Sequence, residues 1–267
     1  MSSLPKWVVG DMSDLPPTAT EKRTLLDVSN VPTRDIAAEP SILAPFALRL
    51  KGSKQLKAGN IQGDPFRACV EAIVAGDDVT AIGLLDALPL LAQARAGHGA
   101  TRQSPKRNFF EQILHYMYEG DTALHMAAAA YQTRIVDELI ARGADIRARN
   151  RRGAEPLHYA VDGGPDVSAW DQSAQAKIIA RLIRAGADPN AVDKSGVAPL
   201  HRAVRNRCAV AVKALIDGRA DPRAPNRNGS TPMLLANQNT AKSGSGSTEA
   251  KAQQNKILRL LEEHGAT

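Results

Sequence analysis

The chain has 267 residues, a formal net charge of +6 and an isoelectric point near 9.4. Aromatic residues make up only 4%, so the core must be built from Leu, Ile, Val and Ala, which favours close-packed helices over a sandwich. Cys69 and Cys208 form no disulfide framework or C-x-x-C motif, no run of about 18 apolar residues exists to span a membrane, and Met1 to Asp11 lacks the apolar stretch of a signal peptide. The expectation is a cytoplasmic chain in a reducing compartment. Its positive charge allows an acidic partner without demanding one.

Residues 1–63 read as a flexible N-terminal arm. Pro5, Pro16, Pro17, Pro32, Pro40 and Pro45 interrupt any long helix, and no helical or strand period persists. A sharper alternative has Trp7-Val8-Val9 or Phe46-Ala47-Leu48 docking back on the rest of the chain. At Asp64-Pro65 a helix starts with a cap and a first-turn proline. Phe66, Cys69, Val70 and Ile73 share one face, and Gly76 ends the helix. A second helix follows from Asp77 or Asp78, with Val79, Ile82, Leu85 and Leu88 expected to point inward.

Residues 89–119 form an insertion. Its first part is polar and basic, with Arg102, Lys106 and Arg107; then come Phe109, Phe110, Ile113, Leu114, Tyr116 and Tyr118. This run holds half of the chain's Phe and Tyr residues. A short helix packed on the groove side is the expectation, with an exposed aromatic contact patch as the alternative.

From Gly120 a motif recurs. GDTALHMAA is followed by GAEPLHYAV at Gly153, GVAPLHRAV at Gly196 and GSTPMLLAN at Gly229. The spacing is about 33 residues apart from one longer interval. Pro156, Pro199 and Pro232 stand at first helical positions, where a missing N–H costs nothing. Thr122 and Thr231 are placed to cap; Glu155 and Ala198 should cap less well. Leu124, Leu157 and Leu200 share a face with Ala127, Ala160 and Ala203, where small side chains let paired helices approach. Gly143 and Gly186 can take the left-handed conformation that stops each second helix, whereas Arg219 replaces that glycine and implies a shifted or strained turn. Within the second and fourth copies, residues 164–173 (with Trp170) and 240–253 (with a Ser-Gly tract) are longer than a tight turn needs and should project from one rim. Glu262 stands where earlier copies carry Ile140, Ile183 and Ile216, and Leu234 replaces the histidine, as suits a terminal copy.

A period near 33 with this T-P-L-H-x-A opening resembles the ankyrin repeat. The implied fold is all-α: a solenoid of stacked helix-turn-helix pairs with β-turn fingers. Residues 64–267 then form the repeat domain. Within it, 64–119 is a degenerate capping repeat plus insertion, and 120–152, 153–195, 196–228 and 229–267 are repeats. The alanine- and arginine-rich, lysine-poor composition is similar to that of a GC-rich bacterial source. The resemblance assigns His125, His158 and His201 to cross-turn hydrogen bonding, not to metal binding, for which ligands would have to converge.

The sequence contains no G-x-S-x-G elbow, no phosphate loop and no H-E-x-x-H, so no enzyme, cofactor or metal site is expected. The resemblance implies a non-catalytic protein-binding module that grips a partner with fingers and first helices. Carried over by position, that surface includes Arg149, Arg151, Arg152, Ala154 and Asp162. It continues with Val192, Lys194, Ser195, Val197, Arg205 and Asn206, then Arg227, Asn228, Ser230, Gln238 and Asn239. Arg147, Arg149, Arg151 and Arg152 crowd one finger with Asp145 as the nearby acid, which points to an acidic protein surface. The alternative is a nucleic acid or other polyanion on the arginine-rich fingers, although aromatic residues do not interleave with those arginines.

Overall fold

The computed structural model describes residues 64–165, 170–238 and 247–266. The expectations for residues 1–63, for Asn239 and for the middle of both long helix-to-helix loops lie outside them.

Ten helices form five pairs among the described residues. They are α1 (Pro65–Ala75) with α2 (Asp78–Ala87), α3 (Ala123–Ala129) with α4 (Thr133–Ala141), and α5 (Pro156–Ala160) with α6 (Gln172–Arg184). The last two pairs are α7 (Pro199–Arg205) with α8 (Ala209–Asp217), and α9 (Pro232–Asn237) with α10 (Thr248–Glu263). The first helices pack in a row, α1 to α3 to α5 to α7 to α9; the second helices make a parallel row from α2 to α10. Each helix is too short to be stable alone and owes its order to its neighbours in the stack.

Local chemistry sets the helix ends. Asp64 accepts the Phe66 N–H at 3.0 Å, Asp77 accepts that of Thr80 at 3.0 Å, and Thr231 accepts that of Leu234 at 3.2 Å. At α5 and α7, as at α3, a histidine three residues on accepts the N–H of the capping residue. The Glu155 N–H donates to His158 Nδ1 at 3.1 Å, and the Ala198 N–H to His201 Nδ1 at 3.2 Å. Arg219 takes the left-handed conformation itself, with φ of 72°, in the register that Gly143 and Gly186 occupy. The turn is therefore strained, not shifted. Gly218, one residue earlier, serves a different need: a Cβ there would lie 2.4 Å from Ile183 Cδ1.

The core follows the repeat register. Leu124, Leu157 and Leu200 are buried, as are Ala127, Ala160 and Ala203. Two expectations are corrected. Val79 is not inward but 69% exposed; Ala81, Leu84 and Leu85 form the buried face of α2 instead. The aromatic run is not a helix. Phe109–Phe110 (β1) and His115–Tyr116 (β2) pair antiparallel, with Leu114 at positive φ in the connecting turn. The apolar spacing of the run suits a helix, but Phe, Tyr and Ile favour extended backbone and the left-handed Leu114 turns the chain back on itself. Trp170 is partly buried against the core and donates from Nε1 to Gln175 Oε1 at 2.9 Å. In the last described pair Leu234 is 50% exposed and Glu262 is exposed.

Candidate partner-binding face

Each finger is built on one polar residue three positions before its glycine. Asn150 Oδ1 accepts the N–H groups of Arg152 and Ala154 at 2.9 and 3.0 Å. Asp193 Oδ1 accepts those of Ser195 and Val197, and Asn226 Oδ1 those of Asn228 and Ser230. These side chains replace the ladder that an isolated two-strand turn cannot sustain. Adjacent fingers are tied by Arg151 N–H to Glu119 O at 2.8 Å and Lys194 N–H to Arg152 O at 2.9 Å.

The repeat histidines join each first helix to the next finger. His125 Nε2 lies 3.1 Å from Ala154 O, His158 Nε2 3.1 Å from Val197 O, and His201 Nε2 3.0 Å from Ala224 O. With Nδ1 accepting and Nε2 donating, each ring is neutral. Burial holds all three below the ordinary histidine range. Both nitrogens of each ring are engaged, which leaves none for a metal.

At the centre of the inner row sits Tyr159, which is fully buried. Its hydroxyl donates to the Asp121 carboxylate at 2.8 Å and accepts from Asn150 Nδ2 at 2.8 Å. Burial, then the Asp121 charge, keep that hydroxyl protonated. The ring packs edge-on to His125 and tilted on His115, with centroids at 4.9 and 4.5 Å.

His115 comes from the β1–β2 hairpin, so the insertion lies over the first part of the inner face. His115 Nε2 meets Asp162 Oδ2 at 3.0 Å. Arg67 of α1 donates to Asn108 Oδ1 and Arg107 O, and its guanidinium lies 5.7 Å from the Phe110 ring centroid. The Phe109 and Tyr116 rings meet tilted at 49° with centroids 4.7 Å apart, while Phe110 and Met117 are buried. The aromatic run is thus a packed wall and not an exposed patch.

The residues expected to form the binding surface divide at that wall. On the finger of residues 149–152 the arginines are largely engaged within the chain. Arg149 donates to Gly153 O and Val192 O, Arg151 to Ala100 O, and Arg152 to the Tyr118 hydroxyl. Arg147 faces Asp188 and Glu155, and Asp145 is held by Arg95, so that finger has more acids about it than Asp145 alone. Asp162 is shared by His115 and Arg202, whose second nitrogen reaches Asp193 Oδ2 at 2.9 Å. Although burial opposes it, Arg202 and His115 hold the Asp162 carboxyl below its usual range.

Beyond the wall the surface is open. Val192, Lys194, Arg205, Arg227, Asn228 and Gln238 are exposed, and Val197 and Asn206 are half-buried. Asn206 Nδ2 donates to Val161 O at 3.2 Å. Lys194, Arg205 and Arg227 make no side-chain hydrogen bond or ion pair among the described residues. Sequence reasoning missed His115, Tyr159, Asp121 and the Asn150/Asp193/Asn226 series. The last left a visible signal: each residue stands three positions before a finger glycine.

A two-layer stack of short helix pairs, with cross-linked fingers along one side, is the architecture of an ankyrin-repeat array. Comparison with known families agrees. Residues 83–170 match ankyrin repeats (three copies), 152–194 an ankyrin repeat, and 182–236 ankyrin repeats (many copies). The chain belongs to the ankyrin repeat family, whose members are in general protein-interaction modules and usually non-catalytic. No curated protein matches the chain. No described helix is long and apolar enough to cross a membrane. Both cysteines are free and buried, and burial pushes the Cys69 thiol up to about 11.

Proposed function

We propose that this chain is a non-catalytic interaction module that binds a protein partner with an acidic surface along the open part of its finger and inner-helix face. The partner contacts are Val192, Lys194, Val197, Arg205, Asn206, Arg227, Asn228 and Gln238. The observation that carries this reading is the contrast across the hairpin. Arg149, Arg151 and Arg152 spend their hydrogen bonds inside the chain, whereas Lys194, Arg205 and Arg227 keep theirs for a partner. In this reading residues 64–267 are the repeat domain, with 64–119 as its capping repeat and insertion, and the inserted loops flank the site. A reducing cytoplasmic setting suits the two buried thiols.

A photo-cross-linking residue placed at Val192 or Arg227 should capture the same partner from native extract, and one at Lys213 on the outer row should not. Capture from Lys213 alone would refute the reading. A polyanion reading survives only if binding falls steeply and linearly with log salt, as phosphate neutralisation requires.

A further inference from the structure

His115 stands where the β1–β2 hairpin meets the inner row, and both of its ring nitrogens face acceptors. Nδ1 lies 2.8 Å from Tyr116 O, and Nε2 lies 3.0 Å from Asp162 Oδ2. A neutral imidazole donates from one nitrogen and presents a lone pair at the other, so either tautomer would set that lone pair against an oxygen. Two contacts of this length require two protons, and the second must sit on the ring or on Asp162. Arg202 decides between them: its guanidinium donates to the same Oδ2 at 3.2 Å and keeps that carboxylate ionised. The repeat histidines are arranged otherwise. His125, His158 and His201 each accept a backbone N–H at Nδ1, which a second ring proton would forbid.

Other groups surround the ring. Tyr159 of α5 lies against it with centroids 4.5 Å apart, and His125 of α3 stands on another side of Tyr159. Tyr116 and Tyr118 follow on its own hairpin. Among the charges beyond first contact, Asp121 and Asp193 favour a positive ring, whereas Arg202, Arg205 and Arg152 oppose it. Asp162 outweighs these because it touches the ring, and the two side chains are only 15% and 20% exposed.

We propose that His115 is a proton-held latch: as an imidazolium it fastens the tip of the hairpin to Asp162, and on losing one proton it lets the tip go. The neutral ring forfeits the ion pair and can fill only one of its two contacts. It cannot turn away from Tyr116 O and stay on Asp162 unless the tip that carries it also moves. The base of the hairpin has its own anchors, in the Arg67 bond to Asn108 Oδ1 and the buried Phe110 and Met117. The latch is closed on the acid side and opens as pH rises, the opposite sign to the three repeat histidines. It governs how firmly the chain covers the first part of its own inner row, whatever the open face binds.

NMR of the full chain tests this. At about pH 7, just above the ordinary histidine value of about 6.5, His115 of the parent should show the two similar ring nitrogen-15 shifts of an imidazolium. Asp162→Asn should show the widely separated pair of a neutral ring. The Ile113 and Leu114 amides donate within the turn to Phe110 O and Glu111 O. From about pH 6 to about pH 9 their protection from exchange, corrected for base catalysis, should fall about tenfold, the scale of one charge-assisted hydrogen bond. The Met117 amide, which donates to Asn108 O at the hairpin base, should hold. His115→Gln cannot take up a charge and should show the lower tip protection at both ends of the range. A neutral-ring pattern in the parent, or tip protection that does not change with pH, would overturn the latch. So would a pH-dependent change that persists in His115→Gln. Should Asp162→Asn fail to fold, the ring pattern and tip protection of the parent decide alone.

Discussion

Tyr159→Phe isolates the polar centre of the inner row. The substitution removes one oxygen and leaves the ring against His115 and His125. Asp121 is fully buried; its carboxylate would retain the Asn150 amide at 2.8 Å and the Tyr118 N–H, and would lose its hydroxyl donor. Asn150 would lose an acceptor on the side chain that shapes its finger. A hydrogen bond to a carboxylate is worth about 1.5–3 kcal/mol, and a buried acceptor left short recovers none of it from water. The expected loss is about 2 kcal/mol, or a fall in Tm of about 4–8 °C for a unit of this size. Urea melts with an unchanged m-value would establish that the array still unfolds as before. Combined with Asn150→Ala, the loss should be less than additive, because both changes strike the same contacts. A loss below about 0.5 kcal/mol, the level of an ordinary surface change, would show that the Tyr159 hydroxyl carries no weight and that the inner row is held by apolar packing alone.

Other outcomes follow from the same structure. Leu157→Ala should cost about 2–5 kcal/mol, as expected for a buried leucine truncated between two neighbouring repeats; denaturant melts decide. Arg219→Gly should stabilise by about 0.5–1 kcal/mol, because relief of a left-handed arginine outweighs the added chain entropy of glycine. Acid should weaken the array from about pH 6.5 downward. His125, His158 and His201 are held below the ordinary histidine range, so the unfolded chain binds more protons there; stability is whole above about pH 6.5 and is lost as pH falls. Urea midpoints measured from pH 8 to pH 5 test this, and a flat profile would contradict the neutral, doubly bonded rings.

The repeat frame was legible because local rules and the tertiary register agree. Asp64, Thr122, Pro156, Pro199 and Gly143 each act through their own backbone, so their type and spacing suffice to place them. Other residues act only through distant neighbours. Val79 has the chemistry of a core residue, yet α2 ends the described stack and its apolar residues outnumber the positions that α1 and α4 can cover. His115 is unremarkable in sequence; it matters because the hairpin carries it to Asp162, 47 residues away. The hydrogen bonds of Arg149 and Arg151 were not legible because their acceptors, Gly153 O, Val192 O and Ala100 O, are backbone carbonyls that no side-chain pattern reveals.

The hairpin at residues 109–116 also gives the array a direction. With one end of the inner face occupied by the chain's own Phe109, His115 and Tyr116, a partner on the proposed face would be kept from sliding through from repeat to repeat. A partner bound as proposed would abut a fixed stop, and its position would be measured from that stop, as along a ruler with a zero mark. Extra repeats spliced in after α10 would lengthen the readable scale, whereas repeats added ahead of α1 would lie behind the stop and go unread.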